Sequence, residues 1–199
     1  MTFYRSAAVI GASLLASVAP VIAQNATADA QLFGQREGVL DATLSPDGNQ
    51  IAFIAPGSGS SEILYVVDLG GSATPKAVLR VSDTNEDLSW CSWANNRKLV
   101  CSVYSIQRDD GLLLGFNRLF AINADGSSIK KITEEANSRS LGFSQSGGSI
   151  VALDVEGKDD KILMTQVVIP EVGVGSILAN RSRGLAVAQV DIDSGNRKI

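Results

Sequence analysis

The segment Leu44-Ser45-Pro46-Asp47-Gly48-Asn49-Gln50-Ile51-Ala52-Phe53 reads as two short strands reversed by a tight polar turn. Pro46 presets φ for the turn, and Gly48 accepts a positive φ without a Cβ clash. Apolar residues alternate on both sides: Leu40, Ala42 and Leu44 before the turn, Ile51 and Phe53 after it. That is the period of a half-buried strand. Facing Leu44 with Ile51 and Ala42 with Phe53 gives the hairpin one apolar face. A lone hairpin is marginal in water, so this face is expected to lie against a neighbouring unit.

The chain repeats the unit. After the flexible stretch Gly57-Ser58-Gly59-Ser60-Ser61, residues 62–68 read as a third strand and residues 76–81 as a fourth. Residues 88–93 and 98–105 read as a second hairpin, followed by strands over 117–123 and 128–133. Ser45 and the matching Ala94 are 49 residues apart, within the period of a propeller blade. The third strands share an ending: Asp68 and Asn123 each precede a turn glycine by three residues, Gly71 and Gly126. For the third unit two hairpins compete. One turns at residues 145–148, the other at residues 156–160 between 150–155 and 161–164. The second is favoured, because it leaves residues 185–191 as a third strand with Asp193-Ser194-Gly195 as its turn and residues 169–184 as an inserted loop. The expected fold is therefore all-β, an incomplete propeller of about three four-stranded antiparallel blades at 39–82, 88–133 and 149–199. Two blades and part of a third do not close a ring. The reading is a fragment of a longer protein, with assembly of several copies as the less simple alternative.

Residues 1–23 have the pattern of a secretory signal: Arg5, then an apolar run over 7–18, then Val21-Ile22-Ala23. Cleavage is expected between Ala23 and Gln24, and no Cys follows to suggest a lipid anchor. Removing residues 1–23 from the 199 leaves 176; it takes away one positive charge, Arg5, so the net charge goes from −4 to −5. Residues 24–38 are a polar lead-in, with a short helix expected over 28–36. No later segment is apolar enough to span a bilayer. The expected location is periplasmic or secreted, with no membrane contact after cleavage. A mildly acidic chain without a basic stripe argues against nucleic acid as a partner.

The two cysteines, Cys91 and Cys101, flank the turn at Asn95-Asn96. Pairing Trp93 with Leu99 places them directly opposite each other. Facing residues of a non-hydrogen-bonded pair have Cα atoms about 4.5 Å apart, near the lower limit for a disulfide. A cross-strand disulfide is the expectation in an oxidising compartment; two small buried thiols are the alternative.

The residues supply no machinery for a chemical step. There is no histidine to take a serine proton, and Gly142-Phe143-Ser144-Gln145-Ser146 fails the G-x-S-x-G pattern at its last position. No catalytic residue, cofactor or metal ligand is assigned. Asp191-x-Asp193-x-Gly195 starts like a calcium loop but lacks the later ligands, and a strand-end turn is the simpler reading. The acidic pairs Asp109-Asp110, Glu134-Glu135 and Asp159-Asp160 read as solvated turns, and Gly173-Val174-Gly175 lacks the rest of a phosphate loop. Trp90, Trp93, Phe53, Phe120 and Tyr65 are expected to fill space between blades.

The segment Leu44 to Phe53 resembles the propeller repeat of prolyl-oligopeptidase-type serine peptidases and of TolB-like propellers. Leu32-Phe33-Gly34, Trp93-Ala94-Asn95-Asn96-Arg97, Lys161-Ile162-Leu163-Met164-Thr165, Val168-Ile169-Pro170-Glu171 and Gly184-Leu185-Ala186-Val187 look like the exported bacterial peptidases in particular. The resemblance implies an N-terminal propeller gating a C-terminal α/β-hydrolase domain that cleaves short peptides. Serine, aspartate and histidine of that domain match no position here, so this chain alone is expected to be inactive. The competing class is a TolB-like periplasmic propeller that binds a protein partner without chemistry.

Overall fold

A computed structural model of the chain describes residues 34, 37–71, 73–82, 84–134, 136, 140, 142, 144–171 and 184–199. The signal segment with Ala23 and Gln24, nearly all of the expected lead-in helix, and Gly173-Val174-Gly175 lie outside the described residues. The first sheet comprises β1 (Asp41–Leu44), β2 (Gln50–Pro56), β3 (Glu62–Asp68) and β4 (Lys76–Val81). The second comprises β5 (Glu86–Asn95), β6 (Lys98–Asp109), β7 (Leu112–Asn123) and β8 (Ile129–Lys131). The third comprises β9 (Ile150–Ala152), β10 (Lys161–Val168), β11 (Gly184–Asp191) and β12 (Arg197–Lys198). Each sheet is an antiparallel meander paired in chain order. Three such meanders in succession, packed face to face, are propeller blades, and the chain is an all-β, incomplete propeller.

Two apolar layers hold the blades together. Ala52, Ile54, Leu64 and Val66 of the first blade pack against Leu88, Cys91, Trp93, Leu99 and Ile122 of the second. Ala94, Val100, Leu119 and Ala121, on the other face of the second blade, pack against Ile162, Met164, Ala188 and Val190 of the third. The middle sheet is thus covered on both sides. That is why its inner strands carry apolar residues on both faces.

Between the first two blades, hydrogen bonds recur at the repeat period. Cys91 N–H donates to Asp41 Oδ2 at 3.1 Å, 50 residues away. Trp93 Nε1–H donates to the Thr43 carbonyl at 3.2 Å, again 50 residues away. Asp47 N–H donates to Asn96 Oδ1 at 3.0 Å, 49 residues away. Among the described strands β5 pairs only with β6, so the backbone groups on its other edge need partners from outside the sheet. The first blade supplies them, and Glu62 likewise accepts from Leu88 N–H.

This arrangement corrects the expected apolar face. The register is as read, with Leu44 opposite Ile51 and Ala42 opposite Phe53. The face turned to the second blade is the other one, where Ala52 and Ile54 are 0% exposed. Leu44 is 54% exposed, and Phe53 stacks on Tyr65 at 5.3 Å on the outer side. Phe53 and Tyr65 therefore do not sit between described blades. On β1 the inward positions are polar, Asp41 and Thr43: the Asp41 carboxylate accepts from the Cys91 N–H on the edge of β5, and the Thr43 backbone carbonyl accepts from the Trp93 indole. Polar residues facing a neighbour invert the usual reading of alternation.

The second hairpin is also longer than expected. β6 continues past Ser105 to Asp109, and β7 starts at Leu112 rather than near Asn117, in unbroken register. Asp110 (φ 44°) and Gly111 (φ 83°) make the two-residue reversal, with both residues at positive φ as a type I′ turn requires. In the third blade Ile150 pairs with Met164 and Ala152 with Leu163, so the hairpin turning at 156–160 is the one formed. Gln145 serves the second blade instead, accepting from Asn117 N–H at 3.0 Å.

Candidate functional site

The turns at one end of the blades form a linked surface. Asp47 organises the first. Its carboxylate accepts from the Ser45 hydroxyl at 2.6 Å, from Asn49 N–H at 3.1 Å and from the Asn49 side-chain amide at 3.1 Å. These bonds, led by Ser45, hold the Asp47 carboxyl below its ordinary pKa. Ser45 Oγ in turn accepts from Gln50 N–H at 2.9 Å. In the second turn, Asn96 accepts from Asp47 N–H, while the neighbouring Asn95 side-chain amide donates to the Asp159 carbonyl at 2.6 Å. Two consecutive asparagines thus grip the blades on either side.

Beneath this linkage runs a groove of about 650 Å³ whose lining includes Lys76, Arg97, Lys98, Asp68, Asp125 and Asp193. Lys98 is ion-paired with Asp193, which joins the second blade to the end of the third. Asp125 is held below its ordinary pKa by Ser127, through side-chain and backbone hydrogen bonds, with Lys76 nearby as a smaller electrostatic cause. Asp68 accepts from Gly70 N–H at 2.9 Å. A second opening of about 500 Å³ lies on the other side of Arg97, lined by Pro46, Trp93, Leu153, Asp154 and Asp159 among others. The arrangement offers charged heads of both signs on fixed turns, which suits binding. It pairs no nucleophile with a base: the Ser45 hydroxyl is committed to Asp47 inside a turn, and the sequence has no histidine.

Cys91 and Cys101 stand opposite each other between two bulges of the β5–β6 ladder, 1% and 0% exposed. The structure joins them as a disulfide with Cα atoms 4.1 Å apart. Asp191 accepts from Asp193 N–H at 2.9 Å and Ser194 N–H at 2.8 Å, and pairs with Lys161. Lys161 is its main hydrogen-bond donor, so the Asp191 carboxyl titrates well below the usual carboxylate range. Its oxygens therefore serve the turn and the ion pair. Asp160 pairs with Lys161 at 2.6 Å and, with Asp191, raises the lysine above its ordinary pKa. Glu134 accepts from the Gln166 amide at 2.9 Å, within a network in which Arg197 donates to Gln166 at 3.1 Å and to the Ile132 carbonyl at 3.0 Å. That network staples the third blade to the second. Asp110 is the hairpin turn residue.

Sequence reading did not find the groove. Its lining comes from turns scattered from Gln50 to Asp193, and no local motif announces such a site. The only local cue was the repeated strand-end pattern that places Asp68 and Asn123 at equivalent positions.

No family profile matches the chain, and no curated protein sequence does. Among solved structures it is similar to TolB from Acinetobacter baumannii, at 17% identity and a TM-score of 0.42 over 82% of this chain and 33% of that one. It is also similar to an acylaminoacyl peptidase of Pyrococcus horikoshii, at 14% identity and a TM-score of 0.49 over 82% of this chain and 25% of that one. A puromycin-hydrolyzing peptidase of Mycobacterium tuberculosis aligns at 11% identity with a TM-score of 0.27, over 79% of this chain and 28% of that one. The chain thus spans 33% or less of each of these three proteins.

Proposed function

We propose that these blades are the propeller portion of an exported serine peptidase of the prolyl-oligopeptidase type, acting on short peptides. In this reading residues 1–23 direct export to the periplasm or beyond. The propeller gates access, admitting narrow flexible peptides and excluding folded proteins. The serine, aspartate and histidine come from a C-terminal α/β-hydrolase domain outside these 199 residues. The observation that carries the reading is the run of peptidase-like segments from Leu32 to Val187 set on a blade architecture.

The test is hydrolysis of peptidyl p-nitroanilides by two purified proteins: the product of the complete coding sequence and the 199-residue chain. The complete product is expected to turn over short substrates, to leave casein intact and to be blocked by a serine-directed inhibitor. The 199-residue chain is expected to show no turnover. A complete product with more blades, no G-x-S-x-G elbow and no hydrolysis would overturn the proposal in favour of a TolB-like binding module.

A further inference from the structure

An aspartate followed by glycine can rearrange through its own backbone, because glycine has no Cβ to shield the nitrogen that attacks the carboxyl group. The chain holds three such dipeptides, Asp47-Gly48, Asp110-Gly111 and Asp125-Gly126. Each lies in a turn with its glycine at positive φ, 72°, 83° and 76°. They differ in what engages the two reacting groups, the aspartate carboxyl and the glycine N–H. In the first, Gly48 N–H donates to the Ser45 carbonyl at 2.9 Å, and the Asp47 carboxylate accepts from Ser45 and Asn49. In the third, Gly126 N–H donates to the Asn123 carbonyl at 2.8 Å, and the Asp125 carboxylate accepts from Ser127 N–H at 2.9 Å. A Cβ on Gly126 would lie 3.2 Å from the Val78 carbonyl oxygen, so the first blade hems in that peptide unit. The same hydrogen bonds hold both carboxyls below their ordinary pKa, which leaves less of the neutral acid that reacts. At Asp110-Gly111 neither the carboxyl nor the glycine N–H has a hydrogen-bond or ion-pair partner among the described residues. Both residues are exposed, and a Cβ built on Gly111 meets nothing within 4 Å. The turn is closed by the last pair of the ladder, Asp109 with Leu112, where local opening costs least.

We propose that Asp110-Gly111 is a self-modification site, at which the main chain transfers onto the aspartate side chain as an isoaspartyl linkage and opens the tip of the β6–β7 hairpin. The Gly111 nitrogen attacks Cγ of the neutral Asp110 carboxyl. The N–Cγ bond forms, the nitrogen's proton and the carboxyl hydroxyl leave as water, and a succinimide ring results. Water then adds to one of the two ring carbonyls. Breaking the N–Cγ bond restores aspartate; breaking the bond from nitrogen to the backbone carbonyl carbon leaves isoaspartate. No oxidant, reductant or co-reactant other than water enters the balance. Isoaspartate carries an extra carbon in the main chain, which a type I′ reversal between Asp109 and Leu112 does not accommodate. Neither residue belongs to the apolar layers, so the blades stay packed.

The experiment holds the full chain, folded, in mildly acidic water enriched in heavy oxygen, then digests it and follows the peptides by chromatography and mass spectrometry. Each succinimide that reopens takes up a heavy oxygen, and the isoaspartyl peptide separates from its aspartyl isomer. The peptide with Asp110 is expected to gain label about tenfold faster or more than those with Asp47 and Asp125, where several hydrogen bonds must open first. In urea, with those bonds gone, the three are expected to label within about threefold of one another. Asp110→Glu requires a larger ring and is expected to abolish label at this turn. In the isoaspartyl product, exchange of the Leu112 amide is expected to speed up, while the Leu119 amide, bonded to the Thr133 hydroxyl, keeps its protection. Four results would overturn the site: label at Asp47 or Asp125 as fast as at Asp110 in the folded chain, the same spread of rates in urea, label that persists in Asp110→Glu, or no label at Asp110 while the unfolded chain labels at all three. Unchanged exchange at Leu112 in the isoaspartyl product would overturn the opening of the tip. No readout involves peptide hydrolysis by the protein, so the outcome is separate from that of the peptidase reading.

Discussion

Ile54 and Phe53 are adjacent on β2 and point to opposite faces, so truncating each in turn measures which face the protein uses. Ile54 is 0% exposed within the layer that joins the first and second blades. Ile54→Ala removes three carbons, about 2.4 kcal/mol at about 0.8 kcal/mol each. The incompletely collapsed cavity raises the cost to about 3–4 kcal/mol, inside the range of about 2–5 kcal/mol for such changes. Phe53 is partly buried and stacks on Tyr65 at 5.3 Å. Losing that pair and the partial burial costs about 1–2 kcal/mol. At about 2–4 °C per kcal/mol for a domain of this size, Ile54→Ala lowers Tm by about 10 °C and Phe53→Ala by less than half of that. Urea denaturation followed by tryptophan fluorescence reads both, because Trp93 packs in the same layer as Ile54. A Phe53→Ala variant as destabilised as Ile54→Ala, or more so, would refute the assignment of the covered face.

Replacing both Cys91 and Cys101 by Ala is expected to cost about 2–3 kcal/mol, the chain-entropy value for a short loop such as this one with its sequence separation of 10. Thiol titration of the unfolded, non-reduced protein should find no free thiol, and two free thiols would remove the basis of that figure. Asp191 has a folded pKa below its unfolded value of about 3.9, so its contribution is complete above that pH and is lost as pH falls below it. Asp191→Asn should therefore flatten the fall of Tm between about pH 4 and pH 2; an unchanged acid limb would contradict this. Gly148 has φ +92°, and a Cβ there would lie 2.0 Å from the Thr165 carbonyl oxygen. Gly148→Ala should lower the urea midpoint by more than Gly157→Ala, where φ is +71° and the added Cβ meets nothing within 4 Å.

The hairpins were legible because their turns carry strong chemistry. Pro46-Asp47-Gly48 set the β1–β2 register, and the facing of Cys91 with Cys101 followed from pairing Trp93 with Leu99. The covered face was not legible. β2 and β3 are apolar on both sides. A pattern rule that sends polar residues to water inverts on β1. The full length of β6 and β7 was obscured by Gln107, Arg108 and Asp109, polar residues at a projecting tip where both faces meet solvent. Asp110-Gly111 was the signal that could have revealed it, a two-residue reversal between strand-forming runs. The groove was invisible because its lining is assembled only when turns far apart in sequence come together.

Asn95 and Asn96 grip opposite neighbours from adjacent positions in the chain. A single peptide unit therefore couples the turn of the first blade to that of the third. Rotating one outer blade about the middle sheet stretches one of these bonds, and compensating within the turn shifts the other. The pair acts as a pitch gauge for the array, resisting any change in the angle at which successive blades follow one another. An insertion between the two residues would break that coupling between the outer turns, while both apolar layers, the Cys91–Asp41 bond and the Arg197 network still join the blades.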